Sequence, residues 1–394
     1  MNGKTGRTAE VVVIGAGVNG AATAFSLVEK GVRDVLLIER GGIASGPTGA
    51  SSALVRQHYG HEVTARMALD SLKFFQRFDE VTGGHAEFKT CGMVIVAPEV
   101  ALPAVRACVE MQQRIGIRTN MIDVEELRRL EPDVMVDDLA GAAWEPDAGY
   151  ADPVGTTTGF VHWATQHGAT AWLNTAVDRL VTEGDRIVGV ETSRGRVSTD
   201  RVILAAGPWT ASLARSAATS LPIRASRHPV LVYKRPDGSR PRHILFDIGQ
   251  RMYLRPEGSD LILVGSLDID HAENEADPDD FERQPNFEEI SEWGQMLLTR
   301  YPSFNDVETR RGWCGIYEFT PDWHHIMDEL PTARGCFVVC GTSGHGFKLG
   351  PACGDIMSDL VLGRTPKYDL TDFRHDRFAK GHAIQNTYSS TIIG

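Results

Sequence analysis

Positions 11–20 read VVVIGAGVNG, and no other stretch of this 394-residue chain restricts its fold so tightly. Val11, Val12, Val13 and Ile14 form the short apolar run of a strand buried on both faces. Gly15, Gly17 and Gly20 complete a G-x-G-x-x-G spacing, and Ala21 to Val28 continue as an apolar helical stretch. Val35-Leu36-Leu37-Ile38 reads as a second strand, ending in Glu39 and Arg40. Strand, glycine turn, helix, strand and terminal acid make the fingerprint of a βαβ dinucleotide unit. Gly15 permits the tight turn, Gly17 opens the backbone to a pyrophosphate, and Gly20 lets helix and strand close on each other. The helix, entered at Val18, offers free N–H groups and a positive dipole end to phosphate. Glu39 accepts from both ribose hydroxyls and disfavours a 2′-phosphate. These residues alone leave FAD and NAD both open.

The length suits about two domains. A formal net charge of −12 argues against nucleic acid and anionic membrane as main partners. No apolar run approaches the roughly 20 residues that span a bilayer. The lead MNGKTGRTAE lacks the apolar core of a signal peptide. The cysteines (Cys91, Cys108, Cys314, Cys336, Cys340, Cys353) are scattered and form no C-x-x-C pair. A reduced, cytoplasmic protein is therefore expected, with Cys336 and Cys340 as core thiols. No metal site is expected either: the adjacent His324 and His325 would point apart on a strand.

Residues 41–60, rich in Gly, Ser and Thr, read as a loop that enters a helix near Ser51. Helices are expected over 62–82, 100–116, 123–130, 153–167 and 286–301. Short strands are expected over 90–97, 171–173, 177–182, 186–192 and 197–198, then a buried strand over 201–207. Four strands alternate through 228–269, and the acidic stretch 271–282 reads as solvated loop. A strand at 335–340 leads through GTSGHGFKLGPACG into a helix to about Leu362. This order implies an α/β, Rossmann-like domain assembled from discontinuous segments, 1–88, 148–225 and 310–394. A β-rich substrate domain, 89–147 and 226–309, is inserted between them, making the chain α+β overall.

Six segments carry a resemblance. They are the Gly15-x-Gly17-x-x-Gly20 unit with Glu39; Arg56-Gln57-His58-Tyr59; Ala205-Ala206-Gly207-Pro208-Trp209; Met252-Tyr253-Leu254-Arg255-Pro256; Gly315-Ile316-Tyr317-Glu318-Phe319-Thr320-Pro321-Asp322; and Ser343-Gly344-His345-Gly346-Phe347-Lys348. In this order, over nearly all of its length, the chain resembles the FAD-dependent D-amino-acid oxidase superfamily, in its sarcosine oxidase, dimethylglycine dehydrogenase and glycine oxidase branch. The resemblance implies FAD rather than NAD, and oxidation of the C–N bond of a small, sarcosine-like amino acid. Hydride would pass from carbon to flavin N5, and the imine would hydrolyse. By the same resemblance Lys348 and Arg56 meet the substrate carboxylate, Tyr253 contacts substrate and His345 lies beside the flavin. His58, close to Arg56, is a further catalytic candidate. Thr48, Ser51 and Ser52 fall at the phosphates and ribityl chain, and Val177 at adenine. Arg40, Ala206, Gly207, Trp209, Gly315, Gly344, Gly346 and Phe347 complete the expected cofactor contacts. The glycines of 344–346 allow close approach to a ring, and a helix N-terminus there would favour negative charge near flavin N1.

The chain also departs from the family pattern. Monomeric sarcosine oxidases hold flavin through a cysteine at the position of Gly315, one residue past Cys314. The 41–53 loop has no counterpart of the histidine used by dimethylglycine dehydrogenase-like proteins. Noncovalent FAD is therefore expected. Leu263 replaces the lysine that speeds O₂ reduction in sarcosine oxidases, so a quinone or protein carrier stands beside O₂ as electron acceptor. Two alternatives remain: oxidation of a 2-hydroxy acid, and a β-type subunit active only within a larger electron-transfer assembly. Homo-oligomer and hetero-subunit association both stay open.

Overall fold

The computed structural model describes residues 6–238, 241–268, 275–304 and 307–385. The apolar run Val11–Ile14 lies in a six-stranded sheet with the order Thr170–Trp172, Val35–Ile38, Val11–Ile14, Val202–Leu204, Cys336–Cys340, Ile326–Glu329. The first five strands are parallel and the last is antiparallel. Successive side chains of a strand point to opposite faces, so this sheet feeds two cores. Val11, Val13, Leu37 and Ile203 pack with Phe25, Phe160, Leu349 and Met357 from helices Val18–Glu29, Pro153–Gln166 and Gly346–Val361. Val12, Ile14, Leu36 and Leu204 pack on Leu180, Ile187, Val190 and Val197 of a four-stranded sheet. The first and last helices touch through glycine: a Cβ at Gly354 would lie 2.5 Å from the Ala22 carbonyl carbon.

A second, eight-stranded sheet runs Glu308–Phe319, Arg224–Lys234, Leu261–Ser266, Met252–Glu257, Ile244–Asp247, Met93–Ala97, Gly141–Glu145, Asn120–Ile122. Helix Phe287–Arg300 covers one face through Trp293 and Leu297. Helix Leu102–Arg114 packs on the other through Val105, Cys108 and Val109. Arg300 is 1% exposed and bonds Asp247 Oδ2 at 2.7 Å beneath the sheet.

Most expected elements are present, with three corrections. No helix begins near Ser51. A 3₁₀ turn, Pro47–Ala50, is followed by strand Leu54–Val55, and the helix starts only at Glu62. The cause is local: Ala53 takes φ 53°, outside the right-handed helical region, and residues 52–59 are buried, with strand only at Leu54–Val55. His324 and His325 precede strand Ile326–Glu329 rather than lying on it. The twelve-residue strand Glu308–Phe319 was not among the expected elements. Of the acidic stretch 271–282, residues 271–274 lie outside the described residues.

Candidate active site

A groove of about 1000 Å³ runs along the C-terminal ends of the parallel strands. Gly15, Gly17, Val18, Glu39, Arg40, Thr48, Ser51, Val177, Ala206, Gly207, Trp209, Gly315, Gly344, Gly346 and Phe347 all line it. Gly15 holds φ 105°, and a side chain there would overlap the Ala205 carbonyl. Gly20 lies behind the turn, where a Cβ would overlap the Gly15 carbonyl oxygen, so it serves packing. Glu39 is fixed by accepting from Ala16 N at 2.9 Å and Gly41 N at 2.7 Å, and Thr48 Oγ1 accepts from Val18 N at 3.1 Å. At the Glu39 end, the Arg40 guanidinium lies 3.8 Å over the Trp209 ring. Asp279 Oδ1 takes both Arg40 (2.8 Å) and Trp209 Nε1 (3.1 Å).

The other end of the groove abuts a cluster of buried polar and aromatic side chains. Tyr317 and Gly344 line the groove; the Tyr253 hydroxyl bonds Tyr317 and Ser52, and Lys348 Nζ donates to the Gly344 carbonyl at 3.1 Å. Ser52, His345 and Lys348 therefore sit just behind the groove wall rather than in it. Arg56 is 4% exposed and Lys348 7%. The Arg56 guanidinium stands 4.4 Å from the Tyr59 ring and 4.9 Å from the Phe246 ring, and donates to the His58 carbonyl. Burial, then the Arg56 charge, pushes the Lys348 pKa well below 10.5. Among the described residues neither cation forms an ion pair with a carboxylate. His345 caps the last helix 5.2 Å from the Tyr59 ring, with Nε2 buried and unpartnered. Its pKa is driven well below 6.5, first by burial and then by Lys348 and Arg56. His58 falls to about 3 through burial and then Arg56.

A family model described as "DAO: FAD dependent oxidoreductase" matches residues 10–360. The chain belongs to the DAO family of FAD-dependent oxidoreductases. Its cofactor is FAD, and the groove fits it: glycine backbone opens where phosphate approaches, an anchored acid stands at one end, and small residues line the other. Among DAO relatives, mouse sarcosine dehydrogenase is 28% identical, over 94% of this chain and 41% of its own length. The 4-methylaminobutanoate oxidase of Paenarthrobacter nicotinovorans is 29% identical, over 96% of this chain and 46% of its own length. The chain thus spans less than half the length of these relatives. The sarcosine oxidase beta subunit of Rhodobacter capsulatus is 24% identical, over 97% of this chain and 92% of its own length. L-proline dehydrogenase from P. horikoshii superposes with a TM-score of 0.88 at 26% identity, over 96% of this chain and all of that one.

Several residues of this buried cluster in the DAO protein carried no role in the sequence reading. Tyr59 was signalled only by lying three positions after Arg56, and Tyr317 only by its segment. Glu145 carries no sequence signal; it lies buried behind Arg56 and accepts from Gln57 N at 2.6 Å. Burial lifts its pKa to about 7. Among the described residues no helix is long and apolar enough to cross a membrane, and no cluster of three His, Cys, Asp or Glu is arranged to hold a metal ion.

Proposed function

We propose that this chain oxidises the C–N bond of a small amino acid whose nitrogen is a secondary amine. One observation carries the reading: the buried side chains of Arg56 and Lys348 act on each other's charge, and among the described residues neither forms an ion pair with a carboxylate. Burying uncompensated positive charge is costly, and a ligand carboxylate removes the cost. Sarcosine, 4-methylaminobutanoate and proline, named for the relatives, are all secondary amines that carry a carboxylate. FAD, when bound, supplies the hydride acceptor. Arg56 fixes the carboxylate with its planar fork, Lys348 adds a second charge, and Tyr253 and Phe246 wall the carbon chain. Phe246 and Tyr253 come from the eight-stranded sheet and Gly15 and Gly17 from the turn after Val11–Ile14 of the six-stranded sheet, which supports a two-domain division, with strand Glu308–Phe319 and its Gly315 belonging to the eight-stranded sheet. FAD is held without a covalent bond in this reading, because the buried Cys314 thiol is pushed up to about 11 and Gly315 takes the linking position.

The deciding experiment is anaerobic bleaching of the purified yellow protein by sarcosine, dimethylglycine, glycine, L- and D-proline, D-alanine and L-2-hydroxyglutarate. Bleaching by a secondary amino acid supports the proposal, and bleaching by the hydroxy acid alone overturns it. Recolouring in air then reports whether O₂, or instead a quinone or protein carrier, is the acceptor; slow recolouring fits Leu263. Hydride leaves a neutral amine more readily than an ammonium, so kcat at saturating substrate should rise from pH 6 to 10; a flat kcat profile contradicts amine oxidation. A second reading, a β-type subunit of a larger assembly, draws on the 92% coverage of the Rhodobacter subunit. It predicts a purified chain that holds FAD but bleaches with nothing in the panel.

A further inference from the structure

We propose that Glu318 is a direct ligand of FAD, hydrogen-bonding through its carboxyl Oε2 to a polar group of the bound cofactor. The inference rests on FAD as cofactor and not on the substrate reading. Glu318 lies near the end of strand Glu308–Phe319, is 4% exposed and lines the cofactor groove. Its Oε1 is committed: it accepts from Thr342 Oγ1 at 2.7 Å and Thr342 N at 3.3 Å. Apart from the Glu318 backbone N–H itself, no donor among the described residues other than Thr342 bonds this carboxyl. The groove-lining Gly207, with φ 54°, leaves the space above it open; a Cβ there would sit 3.9 Å from Oε2. One carboxyl oxygen is thus anchored while the other opens onto the groove between Gly207 and Thr342.

The charge state follows from the surroundings. Burial raises the Glu318 pKa above 4.5, and the Thr342 bonds only partly oppose it. No cation acts on it from the packed elements; the titratable neighbour it influences is the Cys340 thiol, itself pushed up by burial. An ionised carboxylate accepts from the hydroxyl and N–H groups of FAD, and the proton-bearing form can also donate to its phosphate and carbonyl oxygens.

The test follows FAD release from the yellow holoprotein after dilution, read as free-flavin fluorescence from pH 5 to 9. Glu318→Ala should release FAD about 2- to 10-fold faster than wild type, the worth of one hydrogen bond. Glu318→Gln keeps a polar group at this position and should release FAD more slowly than Glu318→Ala. A Glu318→Ala rate equal to wild type at every pH overturns the proposal. Should the alanine variant not fold, Glu318→Leu, which keeps the bulk and no polar group, takes its place with the same expected and overturning results.

Discussion

Lys348 and Arg56 present the chain with a charge problem that substrate is expected to solve. Each charge-assisted hydrogen bond to a carboxylate contributes about 1.5–3 kcal/mol. Lys348→Met and Arg56→Lys should therefore each raise KM roughly 10- to 100-fold while the visible flavin band persists, checked by steady-state kinetics with the amino acid that bleaches the flavin. Unchanged KM in both variants would remove the clamp. The depressed Lys348 pKa adds a signature. Without ligand the lysine loses its proton below its ordinary pKa, whereas a bound carboxylate restores it, so binding takes up a proton. Affinity for a plain carboxylate inhibitor should fall by up to tenfold per pH unit above the lysine's depressed pKa, and Lys348→Met should abolish that slope. Flavin difference spectra titrated with inhibitor at several pH values measure both.

Strands Met252–Glu257 and Leu261–Ser266 place one wall of the buried cluster, and one glycine leaves room for it. Gly265 pairs with Tyr253, and a Cβ there would collide with the phenol ring and hydroxyl. Gly265→Ala should push Tyr253 off Ser52 and Tyr317 and lower kcat roughly 10- to 100-fold, with circular dichroism and bound flavin little changed. A variant with wild-type kcat would show that Tyr253 is a core residue alone. The strands that were legible in the sequence are those buried on both faces: Val11–Ile14, Val35–Ile38 and Cys336–Cys340 are unbroken apolar runs, every residue buried except the half-buried Phe337. Glu308–Phe319 escaped because its first four residues are exposed and charged or polar, and Gly312 interrupts the rest. Its pairing with Arg224–Lys234 is long-range and leaves no local period. The segment after Ser51 misled for the same reason: strand Leu54–Val55 exists only because Gly149–Tyr150 pairs with it. The family resemblance pointed to Arg56 and Lys348, but not to the aromatic sandwich on Arg56, since Phe246 arrives from the other sheet.

The molecule as a whole buries histidine on an unusual scale, and this fixes how it answers acid. Burial is the leading cause at His58 and His325 (each lowered to about 3), at His324 (about 4) and at His345 (well below 6.5). In the unfolded chain these rings titrate near 6.5. Below that pH the unfolded state binds protons that the folded state refuses, so the stability they contribute is present above 6.5 and lost as pH falls toward 3. Glu145 runs the other way: with its folded pKa at about 7, its contribution is full below 4.5 and is lost as pH rises through 7. Between pH 6 and 4.5 the four rings oppose the Glu145 and Glu318 carboxyls, a net of about two to three protons. At about 1.4 kcal/mol per proton per pH unit, stability should fall by roughly 3–4 kcal/mol for each unit of acidification. A domain carries only about 5–15 kcal/mol in total. Cooperative unfolding with release of FAD is therefore expected between pH 5 and 4, measurable as tryptophan fluorescence and free-flavin emission along an acid titration. Glu145→Gln, which mimics the protonated carboxyl, should match wild type in thermal midpoint near pH 5 and exceed it at pH 8. A holoprotein that keeps its midpoint unchanged from pH 7 to 4 would mean that the four rings are hydrated in solution and that the buried site is open to water.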